Sequence, residues 1–124
     1  MAIRNIHISQ REKDYLIKLK RITGLENWNQ ICRWAFCVSL AESTPPSAVK
    51  ISSDSSTEMT WETFGGPYHE IYTALLKQRC EKNGFSTEPD VLTQQFRLHL
   101  HRGLSYLTST RNIKNISTFI AVPF

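Results

Sequence analysis

Residues 9–30 contain two helix starts separated by a helix stop, which commits the chain to consecutive helices joined by a short turn. Ser9, with Glu12 three residues on, has the form of a capping box, in which each side chain bonds the other's backbone N–H. Tyr15, Leu16, Leu19 and Ile22 then recur at helical spacing, and Gly24 stands where a left-handed residue ends a helix near Thr23. Asn27 and Gln30 repeat the box for a second helix, about Trp28 to Glu42. Its apolar positions Ile31, Cys32, Ala35, Phe36, Val38 and Leu40 cover more than one face, which predicts the most buried helix of the fold. Trp28 and Trp34 read as core or subunit-contact aromatics. The run Ser43-Thr44-Pro45-Pro46-Ser47 closes the segment.

Elsewhere the pattern is less regular. Arg4–Ser9 alternates around Ile6 and Ile8 and predicts a short strand. Val49–Ser52 and Thr57–Thr63 are two further short strand candidates, and Gly65-Gly66-Pro67 forces a turn. A third helix is expected over about Tyr68 to Asn83, stacking Ile71, Tyr72, Leu75, Leu76 and Cys80 before Gly84. Thr87-Glu88-Pro89-Asp90 starts a fourth, with Thr87 as the cap, running to Arg102 and breaking or bending at Gly103. The expected fold is therefore mainly α: a compact bundle of about four helices with short N-terminal and central extended segments. At 124 residues it forms one domain, 1–110, followed by a tail over 111–124 that ends in the apolar ISTFIAVPF.

Charge is unevenly placed. Residues 1–23 hold Arg4, Arg11, Lys13, Lys18, Lys20 and Arg21 against Glu12 and Asp14, while the rest of the chain has nine basic and nine acidic residues. The whole formal excess of +4 therefore sits in the first segment, chiefly on one helix. Arg11, Lys18 and Arg21 line one stripe of it, flanked by Lys13 and Lys20. Such a face attracts polyanions through counterion release, where a uniform charge of this size would do little. A merely solvated helix surface is the alternative.

Chemistry is mostly missing from the pattern. There is no phosphate loop, no dinucleotide fingerprint and no nucleophile elbow, and Glu58 and Glu62 fall in an extended segment. His99 and His101 are two apart on a helix and diverge, so they make a poor chelate; they read as helix-surface or subunit-contact groups. Together with Arg102 they would add cationic or hydrogen-bonding character to that helix end. Cys32, Cys37 and Cys80 are odd in number and lack zinc spacing, which predicts buried, reduced thiols. No apolar run approaches the roughly 20 residues of a membrane span, and Met1–Ser9 lacks a signal-peptide pattern. The expectation is a cytoplasmic, non-catalytic protein without cofactor or metal that works by binding.

Four stretches, read together, identify a resemblance. They are LKRITGLENWNQICRWAFCVSLAES at 19–43, EMTWETFGGPYHEIY at 58–72, LLKQRC at 75–80 and QFRLHLHRGLSYL at 95–107. With W-N-x-x-C-R-W-A and F-R-L-H-L-H-R-G among them, the chain resembles the DndE family, the smallest component of the bacterial DNA phosphorothioation (sulfur-modification) system. The segment after Thr110 carries no family motif. The resemblance implies a helical homo-oligomer, a homotetramer, that binds double-stranded DNA with a preference for nicked duplex. It implies partners within the sulfur-modification complex: a cysteine desulfurase, an iron–sulfur protein and an ATPase. On that footing Arg11, Lys13, Lys18, Lys20 and Arg21 become the DNA-facing set. Gly24 would fix the helix–helix angle and hence assembly, alongside Trp28 and Trp34.

Two other readings stay open. A short strand followed by two helices also spells a ribbon-helix-helix repressor, with Arg4, Asn5 and His7 as base readers. A scaffold subunit with only incidental DNA contact is the second. An enzymatic role would require Cys32, Cys80 or a histidine to be essential apart from folding.

Overall fold

The computed structural model of the chain describes residues 3–51 and 55–109. The expected tail over 111–124 and Ser52 of one expected strand lie outside the described residues. The elements run β1 (Asn5–His7), α1 (Gln10–Thr23), α2 (Trp28–Leu40), β2 (Glu58–Thr60), α3 (Trp61–Gly65), a 3-10 turn at Gly66–Tyr68, α4 (His69–Lys82) and α5 (Pro89–Thr108). The protein is mainly helical, with four long helices and a two-stranded ribbon.

Local signals set the first helix. Ser9 Oγ accepts the Glu12 N–H at 3.1 Å, and the Glu12 carboxylate accepts the Ser9 N–H at 3.0 Å. Gly24 adopts φ 74° and donates its N–H to the Lys20 carbonyl at 3.0 Å. At α2 the Asn27 N–H reaches Gln30 Oε1 at 3.4 Å. The start of α5 differs from expectation: Glu88, not Thr87, is the cap, and Pro89 takes the first helical position, where its missing N–H costs nothing.

The core forms where α2 crosses α5. Gly103 does not break α5; it lets the two backbones meet. A Cβ there would lie 1.9 Å from the Ala35 carbonyl oxygen, so only glycine fits. Phe36 of α2, Phe96 of α5 and Phe64 of α3 are all buried, with Phe36–Phe96 and Phe64–Phe96 centroids 5.0 and 4.9 Å apart. Trp61 stacks on Phe64 at 4.9 Å and donates its indole N–H to Thr73 Oγ1 at 2.8 Å. Each such side chain contributes roughly 1.5–3 kcal/mol by leaving water.

The ribbon is shorter than the sequence predicts. β1 pairs antiparallel with β2 in the register Asn5↔Thr60, Ile6↔Met59, His7↔Glu58. Thr57–Thr63 is not one strand, because the Thr60 hydroxyl accepts the Thr63 N–H at 3.1 Å and starts α3. Residues 49–51 form no strand; the Val49 N–H turns back to the Ser47 carbonyl. On α4 only Leu76 and Cys80 are buried, while Ile71 and Leu75 of the expected stripe face outward.

Two arginines finish α2. Arg79 donates to the Leu40 and Glu42 carbonyls, and Arg102 to those of Ser39 (2.7 Å) and Thr44 (3.0 Å). The last carbonyls of a helix lack internal partners, and cations there also oppose the macrodipole. Cys32 and Cys80 are buried free thiols, and burial pushes the Cys32 thiol up to about 12. Cys37 departs from expectation: it is exposed, because α2 turns that face outward between its buried positions.

Candidate nucleic-acid interface

The core-facing side of α1 carries Glu12, Leu16, Leu19 and Thr23, all buried. Its basic residues take the remaining arc. Arg11, Lys18, Lys20 and Arg21 are exposed and Lys13 is half-buried. At about 100° per residue, Arg11, Lys18 and Arg21 follow the expected stripe, and Lys13 and Lys20 run down the opposite flank. The helix thus presents cations along both edges of its solvent face.

These cations differ in how they are held. Arg11 donates from Nε to the Tyr15 hydroxyl at 2.9 Å and lies over that ring, 5.8 Å from its centroid, which fixes its direction. Lys20 and Arg21 occupy the last turn, where they also compensate the negative end of the helix dipole. Asp14 shares the outward side and accepts from Gln10 Nε2 at 3.0 Å. Ile17 stands among them, 51% exposed, a residue that the apolar-stripe reading passes over.

Three arginines of the other helices are committed to the fold, while Lys77 and Lys82 of α4 are exposed. Arg33 donates to the Phe64 carbonyl at 2.9 Å, and Arg79 and Arg102 hold the end of α2. Of the cationic or hydrogen-bonding character expected around His99, His101 and Arg102, hydrogen bonding within the fold is what Arg102 and His99 supply. His99 is 1% exposed in the α2–α5 interface, not at the surface, and burial, with Arg102 and Arg79 nearby, lowers its pKa to about 4. The half-buried His101 lies with Nδ1 3.8 Å from Glu12 Oε2. Beside Arg102 a cleft of about 520 Å³ is lined by Val38, Ser39, Ala41, Gly103 and Tyr106, on helices other than α1. Among the described residues no group of three or more His, Cys, Asp or Glu side chains could hold a metal ion.

The residues marked for assembly are spread along the hairpin. Gly24 is exposed, and a Cβ added to it would meet nothing within 4 Å, so its role is conformational and not packing. Trp28 and Trp34 are half-buried and pack against the core cluster. Arg4, just before β1, and Asn5 on it are exposed, whereas His7 is half-buried with Nδ1 3.4 Å from Glu58. No helix among the described residues is long and apolar enough to cross a membrane.

The family model for the DNA sulphur modification protein DndE matches residues 5–115. A crystal structure of DndE from Escherichia coli B7A, a protein involved in DNA phosphorothioation modification, superposes with a TM-score of 0.66. The match covers 84% of this chain and 95% of that one at 24% identity, a likeness of fold. No curated protein sequence matches the chain.

Proposed function

The chain belongs to the DndE family of DNA sulphur modification proteins, and on that premise we propose that it is the non-catalytic, DNA-binding subunit of a bacterial phosphorothioation machinery. It holds the backbone of double-stranded DNA against the outward face of α1, favours nicked duplex and works in the cytoplasm as a homotetramer beside the other proteins of that machinery. It uses no cofactor. The observation that carries this reading is the concentration of exposed Arg11, Lys18, Lys20 and Arg21 on one helix, while Arg33, Arg79 and Arg102 are spent on carbonyls of the fold.

Contacts of this kind position a protein without reading sequence. Four copies of a modest basic face, gathered by assembly, bind a polyanion much more tightly than one, because each engaged copy raises the effective concentration of the next. Sequence choice then belongs to the partners. A nick supplies a bend point that lets a duplex follow such a surface at lower deformation cost. The repressor reading is disfavoured by β1, which pairs with β2 of its own chain, whereas a ribbon-helix-helix protein pairs that strand with its partner's.

Fluorescence anisotropy with several unrelated duplexes tests the proposal. Similar affinities across sequences, all falling steeply with salt, are expected; tight binding confined to one sequence would favour the repressor.

A further inference from the structure

Ile17 takes no part in the buried core. It sits on the side of α1 opposite Leu16 and Leu19, and it is 51% exposed while both of those are buried. A β-branched residue adds nothing to helix propensity there. Its surface neighbours, three and four positions away on either side, are Lys13, Asp14, Lys20 and Arg21. Three of these four are cations, and the Asp14 carboxylate is drawn toward Gln10 by a 3.0 Å hydrogen bond. A rigid, branched apolar side chain is thus ringed by groups suited to phosphate. One exposed isoleucine is ordinary on a protein surface; an isoleucine set among Lys13, Lys20 and Arg21 on the basic face of α1 is a specific juxtaposition.

Resting on the DNA-binding reading above, we infer that Ile17 is the determinant of nick preference, an apolar wedge that enters the open base step while Lys13, Lys20 and Arg21 hold the phosphates on either side. An intact duplex resists such a wedge, because separating a stacked step costs about a few kcal/mol. At a nick one backbone strand is discontinuous and the step opens at lower cost. The same side chain then finds apolar base faces in place of water. Phosphate contacts act equally on both kinds of duplex, so they set affinity, and the wedge sets the difference. The chemistry recognised is an exposed base-pair face flanked by phosphates.

The test uses the full chain with Ile17→Ala and Ile17→Met, both at an exposed position that leaves the core untouched. Duplexes carry 2-aminopurine beside a single nick, or at the same place in intact DNA. Wild type and Ile17→Met are expected to raise the fluorescence beside the nick, because methionine is also a competent wedge. Ile17→Ala loses that signal, and its preference for nicked over intact duplex falls about fivefold to tenfold. An Ile17→Ala protein that keeps both signal and preference overturns the inference. Equal loss on nicked and intact DNA also overturns it, leaving a general contact. If wild type binds neither duplex, the DNA-binding reading itself fails, and the inference falls with it.

Discussion

The Ser39 hydroxyl lies 2.8 Å from His99 Nδ1 across the α2–α5 crossing, and both residues are 1% exposed. Arg102 Nε donates to the same hydroxyl at 2.8 Å. Ser39 accepts from Arg102 and is placed to donate its own proton to His99 Nδ1, an arrangement that suits a neutral imidazole with its hydrogen on Nε2.

That neutrality makes folding sensitive to mild acid. His99 binds a proton at about 4 in the folded chain, against 6.5 for an ordinary histidine. The unfolded state therefore takes up more protons between those values, and stability falls as pH drops through that window. A loss of roughly 1–3 kcal/mol between pH 7 and pH 4 is expected from this group. Urea melts at both pH values check it, with His99→Gln expected to flatten that part of the profile. Ser39→Ala strands His99 Nδ1 and Arg102 Nε and is expected to cost about 1–3 kcal/mol at neutral pH.

Gly103→Ala is the most damaging small substitution available in the core. Its added methyl would lie 1.9 Å from the Ala35 carbonyl oxygen, with the Ala35 Cα at 2.9 Å, and backbone cannot step aside as a side chain can. We expect a loss of about 3 kcal/mol or more, read by thermal or chemical denaturation.

Gly24→Ala separates backbone from packing. The residue needs φ 74°, but nothing would touch its Cβ, so the folding cost is confined to about 1 kcal/mol. If this turn sets assembly geometry, the variant keeps its helical circular dichroism yet dissociates at higher concentration by light scattering. Gly24→Asn, which tolerates the left-handed region, is expected to lie between the two.

Much of the fold was legible because its signals are local. The Ser9–Glu12 box and the Gly24 stop act within a few residues of chain, and both bonds of the box form. What the sequence hid depends on distant contact. Gly103 resembles a helix break until Ala35 is seen against it, and His99 resembles a surface group until Ser39 meets it from α2. Thr60 starts a helix inside a run that alternates like a strand, because its hydroxyl outcompetes further pairing. Ile71 and Leu75 have core spacing but no helix packed over them among the described residues. Within the candidate interface the charges could be placed from sequence. The commitment of Arg33, Arg79 and Arg102 to backbone carbonyls could not, since each partner is more than thirty residues away.

The central claim is that the solvent face of α1 holds the DNA backbone. The most direct measurement is the slope of log affinity against log salt for nicked duplex, comparing wild type with a Lys18→Gln, Lys20→Gln, Arg21→Gln triple variant matched for assembly. Each lost phosphate contact lowers the slope by about 0.9, so the variant is expected to bind more weakly at low salt and to lose a slope of roughly 2–3 per engaged protomer. An unchanged slope and affinity in a properly assembled triple variant would contradict the claim and move the DNA-binding surface off α1.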